Sequence, residues 1–157
     1  MKSGPISFFM PVALMSLCLT VNAQSDDAAR RRNFNTENDV AIREFDPVSF
    51  FKNKPVKGTS QFRHHHRGIT YYFSSAANLE EFKKSPHKYE PAYGGWCAYT
   101  VATTGDRIKI NPSSYKIIDG KLYLFSNFNG NNTLLRWNKE EKKLKASADK
   151  NWLKKMH

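Results

Sequence analysis

Two cysteines occur in the sequence, and the first, Cys18, lies inside an apolar N-terminal stretch that reads as a removable export signal. What remains after removal holds a single thiol, Cys97, so no disulfide can close within it even in an oxidising compartment. The fold must therefore stand on packing alone. The composition meets that demand, with 39% of residues hydrophobic and 13% aromatic. At 157 residues the chain has room for one core and too little for two comfortable ones.

The signal reading rests on three features. Lys2 supplies a minimal positive start, Ile6 to Val21 is apolar apart from a break at Pro11, and Val21-Asn22-Ala23 offers small residues where a signal peptidase reads. The stretch falls short of the ~20 residues needed to span a bilayer. A lipoprotein signal would need a small residue before Cys18, and Leu17 stands there. Residues 1–23 are thus predicted to be a signal peptide, and the protein periplasmic or secreted. Residues 24–38, "QSDDAARRRNFNTEN", are polar, self-neutralising and without apolar periodicity, which predicts a flexible leader. Residues 39–157 form the expected domain, with a C-terminal helical extension.

Along that domain, "DVAIREFDPVSFF" ends in a short apolar run, and "KNKPVKG" is punctuated as a turn by Pro55 and Gly58. "SQFRHHHRGITYYF" reads as two aromatic and β-branched strands around Arg67-Gly68. "SSAANLEEFKKS" has a serine cap, an early acid and late lysines, the charge order a helix dipole favours, with Leu79 and Phe82 toward the core. "PHKYEPAYGG" reads as a loop leading to Cys97. "DRIKINPSSYKIIDGKLYLF" predicts a strand, a turn at Asn111-Pro112, and a hairpin closed at Asp119-Gly120. From Asn131 the pattern is helical, with Leu134, Trp137 and Leu144 at helical spacings. The expected class is α+β: a small antiparallel sheet with flanking helices.

Several stretches bear on chemistry. In a strand, His64 and His66 share one face while His65 opposes them, a pair that suits a borderline metal such as copper or zinc if a third ligand joins; His87 is a candidate. The alternative is an exposed hairpin edge that happens to carry histidines. "FNGNN" reads as loop chemistry and matches no phosphate-binding loop. No H-E-x-x-H, G-x-S-x-G or C-x-x-C occurs, which removes the commoner protease, hydrolase and thioredoxin signatures. A formal charge of +11 raises the question of anionic partners. The lysine-rich tail reads first as a solvated helix face with weak attraction to anionic envelope surfaces, and an exported protein seldom meets nucleic acid. Cys97 follows two glycines and is flanked by Tyr93, Trp96 and Tyr99. It is open to three readings: a small apolar core residue, a ligand-site thiol, or a nucleophile.

Taken together, "FDPVSFF", "PVKGTSQF", "GITYYFSSAANLEEFKKSPHKYEPAYGGWCAY" and "DGKLYLF" resemble the YHS-domain proteins, and more narrowly their exported single-domain branch. The resemblance covers about Asp39 to Trp152. It implies a YHS/TRASH-like fold, in a wider family that includes modules attached to copper and heavy-metal ATPases. Metal-associated members carry a cysteine after the D-P-V motif and a C-x-x-x-C pair running into the helix; the matching positions here are Ser49, Ser74 and Asn78. Serine and asparagine oxygens are poor ligands for soft metals, so a thiolate site of the family's kind is not expected. What the resemblance leaves is a binding module for a transition metal or small ligand near Cys97, with His87, Tyr72, Tyr99 and Trp96 as neighbours. The alternatives are a thiol enzyme or redox sensor using Cys97, and a purely structural envelope protein. Turnover with a depressed thiol pKa would mark the enzyme; stoichiometric binding without turnover would mark the module.

Overall fold

A computed structural model describes residues 26–156 of the chain, so the predicted signal peptide, with Cys18, lies outside the described residues. Helix α1 spans residues 26–33, and strands β1 (Thr36–Glu37) and β2 (Val40–Ala41) follow it. A tight turn at Ile42–Glu44 and helix α2 (Pro47–Phe51) lead to strands β3 (Thr59–His66) and β4 (Ile69–Phe73). Next come helices α3 (Ala76–Lys84), α4 (Pro86–Tyr89) and α5 (Ala98–Thr103), then strands β5 (Asn111–Ile118) and β6 (Lys121–Phe125). A small hairpin, β7 (Asn127–Phe128) and β8 (Asn131–Asn132), precedes helices α6 (Thr133–Trp137) and α7 (Glu141–Met156). The class is α+β, with three small sheets and flanking helices. Among the described residues no helix is long and apolar enough to cross a membrane.

The first sheet is mixed, in the order β1-β2-β4-β3, because β2 runs parallel to β4 while the other pairs are antiparallel. On β4 the alternation is clean: Ile69, Tyr71 and Phe73 are buried and Thr70 and Tyr72 are not. The β3–β4 hairpin turns at Arg67-Gly68, with φ of 46° and 81°, and the β5–β6 hairpin at Asp119-Gly120, with φ of 51° and 72°. Both are two-residue loops whose positive φ values match the twist of the strands they join. "FNGNN" is more than loop: Asn129-Gly130 closes a third such hairpin.

Two apolar clusters form the core. The first packs Phe50, Ile69, Tyr71, Phe73 and Phe82 with Cys97, Ile110, Leu122 and Leu124. The second packs Tyr93, Ala98, Val101, Tyr123, Phe125 and Trp137 under α7. Helix α3 starts where expected, its cap Ser75 accepting from Asn78 N, and buries Phe82 with Leu79 packed beside it.

Three expectations need correction. The stretch 86–95, expected as a loop, holds helix α4 and the tight turn at Ala92–Gly95. No turn forms at Asn111-Pro112: β5 runs through it, and the proline is accommodated by a register shift between Asn111 and Tyr115, while residues 106–110 are not a strand. Residues 26–38, expected as a flexible leader, are packed onto the domain. Arg30, Phe34 and Asn35 are buried there, and Asn35 N donates to Gly94 O at 2.8 Å. Composition missed this because the docking contact of α1 is made largely by a charged side chain.

Candidate functional site

The segment from Pro86 to Trp96 builds a cleft. Pro86 starts α4, where a missing N–H costs nothing, and the chain then turns through Ala92–Gly95 with Tyr93 and Gly94 at φ of 52° and 60°. At Gly94 a Cβ would lie 2.9 Å from the Trp152 ring and 3.1 Å from Phe34, so only glycine lets α1, α7 and this turn meet. Tyr93 takes the left-handed conformation at a cost; its hydroxyl donates to Asp149 Oδ1 at 2.9 Å and ties the turn to α7. Burial and that carboxylate push the Tyr93 hydroxyl pKa far up, so it stays a donor.

The resulting cavity, about 320 Å³, has Phe34, Tyr123 and Trp152 as aromatic walls and Arg30, Glu90, Lys121 and Asp149 as charged groups, Asp149 already bonded to Tyr93 and paired with Lys145. Glu90 is 4% exposed. Its Oε1 accepts from the Arg30 guanidinium and from the Tyr71 hydroxyl, the latter at 2.8 Å. Arg30 also donates through Nε to Arg67 O and lies over the Phe34 ring. Lys121 Nζ donates to the backbone carbonyl of His87 at 2.8 Å, and among the described residues no carboxylate lies within ion-pair distance of it. Burial lowers the Lys121 pKa, Arg30 adds to this, and Glu90 opposes it. The cleft therefore offers one half-desolvated cation beside an apolar wall.

The sequence-derived site residues do not converge on Cys97. Cys97 itself is 0% exposed, within the first core cluster, beside Leu124. Its Sγ lies 3.3 Å from Thr133 Oγ1 and accepts from Ser126 N at 3.4 Å. It stands at the cap of α5, but its sulfur makes no capping bond. None of the cleft-lining residues includes it. Tyr99 packs between both clusters, and Trp96 donates to Asn33 O at 2.6 Å, pinning α1. Tyr72 lies on the outer face of β4, opposite Arg63, in a shallow surface depression with His64 and His65. His87 is on the cleft rim, its side chain 76% exposed.

The histidines fall partly as expected. His64 and His66 share a face, stacked at 6.3 Å, and both present edges to Phe82. His87 does come near, its ring 6.1 Å from that of His66, and its Nδ1 lies 3.9 Å from Glu90 Oε2. Yet among the described residues no group of three or more histidines, cysteines or carboxylates has the spacing to hold a metal ion. The three positions where the resemblance places thiols gather elsewhere, around Asp46. Asp46 Oδ2 accepts from Ser74 N at 2.9 Å, Ser74 Oγ at 2.6 Å and Asn78 Nδ2 at 2.6 Å, while Oδ1 accepts from Val48 N. Ser49 Oγ donates to Asp46 O and accepts from Val56 N. This is an all-oxygen-and-amide set whose capacity is spent on its own hydrogen bonds. It does not fit copper, or zinc held through thiolates.

Arg30, Glu90, Lys121 and Asp149 are the residues that sequence reasoning missed. One signal was present: Glu90 sits in "KYEPAY", an acid among apolar residues, the setting in which a carboxylate must find a buried partner. Comparison with models of protein families, with curated proteins and with solved structures returned no match to this chain.

Proposed function

We propose that this chain is a YHS-like binding module, not an enzyme, that holds a small organic anion in the cleft between α1, the Ala92–Gly95 turn and α7. The observation that carries the reading is the cleft itself: about 320 Å³, aromatic on one side, with Lys121 held by a single backbone carbonyl on the other. Small-molecule sites are typically concave, largely apolar and fixed by a few polar groups, at volumes of roughly 300 Å³ and above. Arg30 and Glu90 satisfy each other and serve as a rigid floor, so Lys121 is the group left to meet a carboxylate. The thiol readings lack support of this kind, because Cys97 is fully buried and, among the described residues, its sulfur meets Thr133 and Ser126 and no histidine as hydrogen-bond partners.

Benzoate and its neutral counterpart benzyl alcohol are suitable probes, followed by the fluorescence of Trp152 in the wall. Benzoate is expected to quench saturably, and Lys121→Met to weaken it about tenfold or more, the worth of one charge-assisted hydrogen bond. Equal binding of benzyl alcohol, or an unchanged response in K121M, would remove the anion reading.

A further inference from the structure

The C-terminal face carries charge that the cleft does not use. Between Arg136 and Lys155 the sequence has eight cationic side chains against three acids. All three acids are already engaged: Glu140 with Lys143, Glu141 with Lys116 and the Trp137 indole, and Asp149 with Tyr93 and Lys145. Among the described residues, Arg136, Lys139, Lys142, Lys150 and Lys154 have no carboxylate within ion-pair distance.

Their placement is not scattered. At 3.6 residues per turn, Lys142, Lys143, Lys150 and Lys154 fall within a stripe of about 120° on α7, all exposed. Leu153, 59% exposed, sits inside that stripe, and Leu135, 63% exposed, precedes Arg136 on α6. Beside the stripe runs a groove of about 410 Å³ in which Arg136, Lys139 and Lys143 meet Thr103 and Ser147; Glu140 also lines it, bonded to Lys143. Cations and hydroxyls around a groove of this size suit a phosphate group.

We propose that the α6–α7 face docks on an anionic phospholipid surface, with headgroup phosphates entering the groove and Leu135 and Leu153 entering the interface. Lysine, a hydrated point charge on a flexible stem, suits the diffuse charge of a headgroup layer. Nucleic-acid surfaces rely more on arginine forks and on exposed aromatic rings for stacking. This face has one arginine and exposes leucines instead. The surface is independent of the cleft, whose α7 residues, Asp149, Trp152 and Met156, lie on the neighbouring side of the helix.

Co-sedimentation with vesicles tests it, comparing phosphatidylcholine alone with an equimolar mixture of phosphatidylcholine and phosphatidylglycerol at low salt. Binding to the mixed vesicles only, weakening as salt rises, is expected. At about fivefold per lysine, the exposed triple variant K142Q/K150Q/K154Q should lose on the order of 100-fold. Its benzoate response should be unchanged, so a failure here is distinguishable from a failure at the cleft. The proposal is overturned if the protein ignores phosphatidylglycerol, if the triple variant binds as well as the parent, or if a short DNA duplex displaces the protein from the mixed vesicles.

Discussion

Cys97 and His66 are both shielded residues, and each makes a different kind of test possible. The Cys97 sulfur has no exposed surface and receives a backbone N–H from Ser126. A bulky maleimide can reach it only when β6 parts from the start of α6. Native labelling should therefore be slow and accelerate sharply in denaturant; rapid native labelling would show that the two elements are not packed together in solution. His66 Nε2 is buried with no hydrogen-bond partner among the described residues. Its pKa lies below the ordinary 6.5, mainly through burial, with Arg30, His64 and His87 adding to the effect and Glu90 opposing it. His64 is lowered as well, by burial first and Lys83 next. A histidine with a depressed folded pKa stabilises fully above its unfolded value and loses that stability as pH falls through the folded one. The melting temperature should thus begin to fall below pH 6.5. Carboxylates such as Glu81, held below 4.5 by Tyr89 and Lys52, matter only further down. The variant H64Q/H66Q should flatten the upper part of this decline, and an unaltered profile would mean the histidines titrate freely.

Elements show which local rules govern here. In the β5–β6 hairpin, Gly120 has φ of 72° and no atom within 4 Å of where a Cβ would stand. The cost of Gly120→Val is therefore conformational alone, about 1–2 kcal/mol, read as a lower urea midpoint. A midpoint that does not move would mean the loop relaxes into another turn. Turns of this kind were legible because their chemistry is local: Gly68 in one and Asp119-Gly120 in the other tolerate positive φ by their own chemistry. Helix α3 was legible for the same reason, through Ser75 and the spacing of Leu79 and Phe82. Asn111-Pro112 was misread because a proline is a turn signal only if no neighbour absorbs it. Here the shifted register against β6 does so. The cleft was the least legible. His87 was singled out and Glu90 shares its segment, but Arg30 and Lys121 come from segments far away in sequence. Their meeting depends on the packing of α1 and β6, which no spacing encodes.

For the molecule as a whole, Glu90 is the point where these parts join. Its carboxylate receives the hydroxyl of Tyr71 from the first core cluster and the guanidinium of Arg30 from α1, and it forms part of the cleft floor. Both members of the ion pair are nearly without exposure, with side chains at 8% and 5%. Removing one partner strands the other: in Arg30→Met, a buried carboxylate keeps a single neutral donor. Such a loss costs about 3–5 kcal/mol, a large share of the roughly 5–15 kcal/mol that holds a domain together. The double variant R30M/E90Q buries no unpaired charge and should recover much of that loss. A chain beginning at Asp39, which lacks both Arg30 and Phe34, should be no more stable than R30M. It should also fail to bind benzoate, because α1 supplies one wall of the cleft. Urea unfolding of the four proteins decides the matter. If R30M and the shortened chain unfold at the parent's midpoint, α1 is not docked in solution, and the cleft it closes does not exist in the form that the proposed function requires.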